Sequence, residues 1–163
     1  MASRPTSETS SRSSTSNQKS AAGVRAHSAV HVVKGAVANV LGPRKFTFGE
    51  AGVLKFHSEA DPLPQEVGKI EVAANRKVAE DAEILEFSME RQEAEGHFGT
   101  GIYDLTPAPK TEALLKIVRI PDWDAGYCLQ AHVDSTGSVG AIRVDGATFD
   151  DARKEVEFRF HLL

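Results

Sequence analysis

The sequence predicts an α+β fold, a single domain in which an antiparallel-rich sheet is packed by helices. Three observations carry this. Two long stretches have helical periodicity, one from about His27 to Leu41 and one from Gln65 through Val78. Short apolar runs bounded by Gly, Pro, Asn or Asp follow, the clearest being Val156, Phe158 and Phe160 alternating with Glu157, Arg159 and His161. Lys45–Phe48 and Val53–Phe56, separated by a short turn, read as an antiparallel pair.

Taken in order, residues 1–22 are rich in Ser and Thr and nearly free of large apolar side chains. Such a segment buries too little surface to offset its ordering entropy, so it reads as a disordered tail ahead of a folded part at 23–163. It lacks the apolar core of a secretory signal. In the first helix, Val30, Val33, Val37, Val40 and Leu41 form an apolar stripe. Beside it His27 and His31, four positions apart, project from one face, which Lys34 and Ala38 continue. Gly42-Pro43 stops this helix.

Lys45–Phe48 and Val53–Phe56 read as a hairpin turned at Glu50-Ala51-Gly52. Asp61-Pro62-Leu63-Pro64 breaks the chain before the second helix, whose Val67, Ile70, Ala74 and Val78 face a core. Its Glu66, Lys69, Arg76 and Lys77 form a solvated face. Glu83–Phe87 reads as a strand and Ser88–Phe98 as a short acidic helix, and the acids of Glu80–Glu95 read as a solvated face. Leu114–Ile120 is a buried strand. Ala141–Val144 is a strand ended by a turn at Gly146, and the alternating segment from Val156 closes the chain.

The totals exclude several classes. The 163 residues contain no apolar run long enough for a transmembrane helix. The single cysteine, Cys128, forbids an intrachain disulfide and fits a reducing, cytoplasmic setting. A formal net charge of −4 speaks against a broad electrostatic nucleic-acid binder but not against a local basic patch.

Cys128 and His132 repeat the four-residue spacing of His27 and His31. A thiolate and three imidazoles make a four-ligand zinc set, provided that Cys128–His132 is helical or a tight turn. An H-x-x-x-H spacing alone also arises by chance and the first pair lacks the glutamate of a zinc protease, since position 28 is Ser. His57, His97 and His161 have no partner by spacing and read as surface or strand residues.

Ala26–Ala36, Arg44-Lys45-Phe46-Thr47, Ala74-Asn75, Tyr103-Asp104-Leu105, Ile120-Pro121-Asp122-Trp123, Cys128-x-x-x-His132 and Thr136-Gly137-x-x-Gly140 occur in an order that resembles the free-standing alanyl-tRNA editing proteins of the AlaX type, in their short form. These are related to the editing domains of alanyl- and threonyl-tRNA synthetases. The resemblance implies a zinc-dependent trans-editing hydrolase that deacylates alanine tRNA mischarged with serine or glycine. It implies one Zn2+ on His27, His31, Cys128 and His132, and a Thr47 that meets the hydroxyl of a mischarged serine. Lys34, Arg44 and Lys45, near the first pair in sequence, would contact tRNA phosphates. Two departures stand out. Leu129, Gln130 and Ala131 replace the glycines that some relatives carry inside C-x-x-x-H, and Asp124 follows the Trp where short forms often have Asn. The alternative reading is a non-catalytic, zinc-stabilised tRNA-binding module.

Overall fold

The structure, a computed structural model, describes residues 20–163. The tail reading falls mostly on residues 1–19, outside the described ones. The Ser20 hydroxyl accepts from the Gly23 N–H at 3.1 Å and caps helix α1, Ala21–Leu41.

Helix α1 is the centre of the molecule. A single apolar stripe was expected, yet every residue from His27 to Val37 is buried. The helix is enclosed by helix α2 (Pro64–Glu80), by strands β1 (Phe46–Glu50) and β2 (Val53–His57), and by strand β5 (Asp124–Tyr127). Gly42, at φ 87°, ends α1 in a conformation that glycine adopts without a Cβ penalty. In α2, Pro64 occupies the first turn and the Glu66 carboxylate accepts from the Leu63 N–H at 2.8 Å. Ile70, Ala73 and Ala74 of α2 are buried against α1.

The fold class is as expected, α+β with antiparallel pairing throughout the described strands, but the strands divide between two sheets. A four-stranded sheet runs β1-β2-β7-β6, with β6 at Ile142–Asp150 and β7 at Glu155–Leu162. Leu54, Phe56, Val156, Phe158 and Phe160 point from it into the core shared with α1. A three-stranded sheet runs β3-β4-β5, with β3 at Leu85–Glu90 and β4 at Leu114–Ile120. Strand β4 is covered on both faces. Val118 and Ile120 join the main core, while Leu115 and Ile117 join a smaller cluster under helix α3 (Arg91–Phe98) with Ala94, Ile102 and Tyr127. That two-sided burial explains the nearly continuous apolar character of β4.

Two boundaries differ from the sequence reading. Ser88–Glu90 belong to β3, where Ser88 pairs with Lys116 and Met89 with Leu115, and α3 starts only at Arg91. Pairing along a neighbouring strand overrides the helix propensity of that acidic run. Gly146 is no turn. It sits at φ 156° in a bulge of the continuous strand β6, where the register against β7 shifts between Val144 and Gly146. Among the described residues no helix is long and apolar enough to cross a membrane.

Candidate metal centre

Helix α1 carries His27 and His31 one turn apart, in its fully buried stretch. Opposite, β4 and β5 form a tight hairpin through Pro121-Asp122-Trp123, with Asp122 at φ 56° and the Trp123 N–H donating to Ile120 O at 3.0 Å. The hairpin is clamped to α1 by the Trp123 indole N–H, which donates to Val32 O at 2.9 Å, and its ring lies so close to Gly35 that no Cβ fits there. This fixes Asp124 at the start of β5 and Cys128 just past its end.

The segment from Cys128 to His132 is neither helix nor tight turn, as the sequence reading required, but irregular, with Leu129, Gln130 and Ala131 exposed. The backbone that follows holds it in place. The Val133 N–H donates to the Ser28 hydroxyl at 3.0 Å, and that hydroxyl donates to Val24 O at 2.8 Å. Further on, Ile84 N–H donates to Asp134 O, and Thr136 N–H to Ala82 O. Ser28, which stands where a zinc protease has its glutamate, therefore docks the loop that carries His132.

The result is a cluster in which the ligand atoms of His27, His31, Cys128 and His132 all lie within 4.8 Å of one another. His27 Nε2 is 3.3 Å from Cys128 Sγ, and His31 Nε2 is 3.2 Å from His132 Nε2. Donors around a tetrahedral ion bound at ordinary zinc–nitrogen and zinc–sulfur lengths sit about 3.3–3.6 Å apart. The donor set fits such an ion in chemistry, and these two pairs lie near that spacing.

The tautomers fit as well. His31 Nδ1–H donates to Asp124 Oδ2 at 2.9 Å, and His132 Nδ1–H donates to Glu86 Oε2 at 2.6 Å. Each carboxylate holds the proton on the outer nitrogen and leaves Nε2 facing the cluster. Sequence reasoning missed both carboxylates as functional groups. Glu86 was grouped with a solvated acidic run, but the alternation of β3 sends Phe87 into the small cluster and Glu86 to the opposite face, toward His132. Asp124 was noted only as a departure from Asn. Its position four residues before Cys128 was the available signal.

Electrostatics shape the metal-free cluster. Burial raises the Cys128 thiol, but hydrogen bonds from His132, His27 and His31 outweigh it and bring the group down to about 3, so a thiolate is present at neutral pH. Burial works against a charged His31, yet its hydrogen bonds to Asp124 and Cys128 raise it to about 9. Asp124 is disfavoured by burial but held below the usual carboxylate range by the Lys34 ammonium, 3.1 Å away, and by His31.

Of the other expected site residues, Lys34 stands beside the cluster, while Thr47, Arg44 and Lys45 lie away from it. Lys34 does not reach solvent. It is buried, paired with Asp124 and placed over the Phe46 ring at 5.4 Å. Thr47 faces away from α1. A bulge between Phe46 and Phe48 turns Phe46 and Gly49 inward, Gly49 against Val30, and leaves Thr47 and Phe48 on the outer face of the sheet. There the Thr47 hydroxyl donates to Glu155 at 2.8 Å. Arg44 and Lys45 follow the far end of α1, about 15 Å of helix beyond His31, and line a cleft with His57, Glu59, Asp61 and Glu66. His57 pairs with Glu59 and His161 with Asp145, both at the surface.

No family model matches the chain. Curated relatives do. The chain is 36% identical over 131 residues to the alanine–tRNA ligase of Thermofilum pendens, a match spanning 76% of the chain and 14% of that protein. It is 34% identical over 143 residues to the alanine–tRNA ligase of Methanosarcina barkeri, spanning 82% of the chain and 15% of the relative. It is 35% identical over 126 residues to that of Hyperthermus butylicus, spanning 74% and 14%. The chain thus matches only about a seventh of the length of these ligases. The order of its motifs and these matches agree, and the chain belongs to the AlaX-like domain family related to alanine–tRNA ligase.

Proposed function

We propose that this protein is a zinc-dependent hydrolase that removes serine or glycine from mischarged alanine tRNA, acting in trans to the synthetase. The observation that supports it most is the convergence of His27, His31, Cys128 and His132 in a chain whose relatives are alanine–tRNA ligases. The three histidines and the thiolate would hold Zn2+, whose chemistry when bound is to polarise an ester carbonyl or acidify a water.

The chain's own residues supply the rest. An aminoacyl ester is already activated, so holding it against a positioned water covers much of the barrier. The exposed Leu129, Gln130 and Ala131 stand beside the ligand pair Cys128 and His132, where the acceptor end would arrive. Glu86, about a third exposed, holds the Nδ1 proton of His132 at this rim. Helix α1 closes the opposite side, where His27 and His31 are buried. The terminal ribose hydroxyl of the substrate completes the proton handling. Discrimination against alanine follows from hydrogen bonds to the serine hydroxyl that leave polar groups unpaired when alanine binds. Thr47, the residue expected to make them, has its hydroxyl bonded to Glu155 on the outer face of the sheet.

One observation favours a second reading. Four candidate protein ligands would fill a tetrahedral zinc shell, the mark of a closed structural site. That reading is a zinc-stabilised module that binds tRNA without cleaving its ester. Deacylation of alanine tRNA charged separately with serine, glycine and alanine, with and without a chelator, separates the two. Loss of serine or glycine, sparing of alanine and abolition by chelator are expected. Tight binding with no deacylation of any of the three would establish the binding module instead.

A further inference from the structure

The two imidazoles whose Nε2 atoms meet are each held by a carboxylate, and each carboxylate is in turn held by a lysine. One arm runs Lys34–Asp124–His31 and the other Lys116–Glu86–His132. Chemically the arms are alike, but their surroundings differ. In the first, both Asp124 oxygens are used, Oδ2 by His31 at 2.9 Å and Oδ1 by Lys34 at 3.1 Å, and the carboxylate and ammonium side chains are 6% and 8% exposed. In the second, Lys116 stands 3.7 Å from Glu86 and spends a shorter bond, 3.1 Å, on Gln130 O, while Glu86 and Lys116 are 35% and 32% exposed. Water competes for the carboxylate and ammonium of the second arm and is kept from those of the first, while both rings are buried, His132 at 1% and His31 at 4% exposure.

The backbones under the two ligands differ in the same sense. His31 sits in the fully buried stretch of α1. His132 ends an irregular segment whose preceding residues, Leu129 to Ala131, are exposed.

We propose that Asp124 and Glu86 are positioning residues of the metal centre with unequal duties. Asp124 fixes the His31 ring more firmly than Glu86 fixes the His132 ring, so that of the two imidazoles His132 would be the more weakly held toward an ion. The inference rests on the metal-centre reading above.

The test uses the full chain loaded with zinc. Nitrogen-15 spectra of the histidine rings report exchange of the two Nδ1–H protons with water, and the His132 proton is expected to exchange at least tenfold faster than that of His31. In chelator competition, Asp124→Asn is expected to lose about 10–100-fold in zinc affinity, and Glu86→Gln less than tenfold. Should Asp124→Asn strand the buried Lys34 and fail to fold, the double variant Lys34→Met/Asp124→Asn removes both charges and keeps the comparison. Equal exchange rates, or a larger affinity loss for Glu86→Gln than for the Asp124 variant, would overturn the proposal while leaving the metal centre intact. A wild-type chain that takes up no zinc would overturn both.

Discussion

His31 Nε2 and His132 Nε2 face each other at 3.2 Å, although the two residues are 101 positions apart in the chain. Both rings have their Nδ1 protons committed to carboxylates, so both inner nitrogens would be acceptors if the rings were neutral. In the metal-free protein the conflict is relieved by a protonated His31, which donates across the gap, in keeping with its shift to about 9. An ion between the two nitrogens removes the conflict and the proton together.

Zinc binding should therefore stabilise the fold directly. At about a thousandfold its dissociation constant, a ligand specific to the native state adds about 4 kcal/mol, which corresponds to about 8–16 °C in Tm for a domain of this size. Thermal melts with and without zinc check this, and Cys128→Ala should abolish most of the shift at the same zinc concentration. Equal melting points for the loaded wild type and Cys128→Ala would remove Cys128 from the ligand set.

The metal-free protein should lose stability in acid. Cys128 is held down to about 3 in the folded state against an ordinary value of 9.0, so its contribution is lost as pH falls toward 3. His31, raised to about 9 from 6.5, contributes stability that is full below 6.5 and lost as pH rises through 9. Between 6.5 and 9 the two slopes oppose each other; below 6.5 the thiolate sets the decline, joined in the carboxylate range by Asp124, which is also held low. Urea melts of the metal-free chain should show a near-flat region from 6.5 to 9 and a steady decline below 6.5. Stability that rises on acidification would contradict the thiolate assignment.

Gly35→Ala should damage fold and metal site together. A Cβ at position 35 runs into the Trp123 indole, whose N–H is bonded to Val32 O and whose neighbour Asp124 holds His31. Overpacking of this kind costs about 1–3 kcal/mol. Because the ring can yield only by shifting the β4–β5 hairpin, zinc affinity should fall as well. A variant that melts lower yet binds zinc normally would separate the clamp from the site.

How much of this was legible in sequence follows from the range of the interactions. The four clustered residues were readable because each pair carries a local spacing, even though only His27 and His31 owe their proximity to helical geometry. Cys128 and His132 converge for another reason, since the Ser28 hydroxyl and the bridge between Glu83 and Ser135 dock an irregular loop. Glu86 and Asp124 were not readable as partners of histidines, because a strand face and a hairpin turn place them, and neither has a signature within a few residues. Lys34 was misplaced for a similar reason. Its position continues the histidine face, but burial of α1 on all sides leaves that face no solvent.

Thr47→Val should leave selectivity for serine over alanine unchanged and cost no more than about 1 kcal/mol, the ordinary worth of one exposed hydrogen bond. The hydroxyl lost is the one bonded to Glu155 on the outer face of the sheet. A collapse of selectivity in deacylation assays would mean that β1 changes its register when substrate binds, undoing the bulge between Phe46 and Phe48.

Lys34 and Lys45, eleven positions apart on either side of the end of α1, should respond to substitution in opposite ways. Lys34→Met leaves the Asp124 carboxylate buried with one partner fewer, in a place where both side chains are less than a tenth exposed. Breaking such a pair from one side costs about 3–5 kcal/mol, so the variant should melt far below wild type whatever it does to RNA. Lys45 is exposed and has no ion-pair partner among the described residues. Lys45→Ala should change stability by no more than about 0.5 kcal/mol. If it touches a phosphate, the dependence of log affinity for alanine tRNA on log salt should become shallower by about 1. An unchanged slope would place the RNA backbone away from the cleft of Arg44 and Lys45. A Lys34→Met variant of wild-type stability would mean that Asp124 does not need its ammonium, and that the buried arm holding His31 is weaker than its geometry indicates.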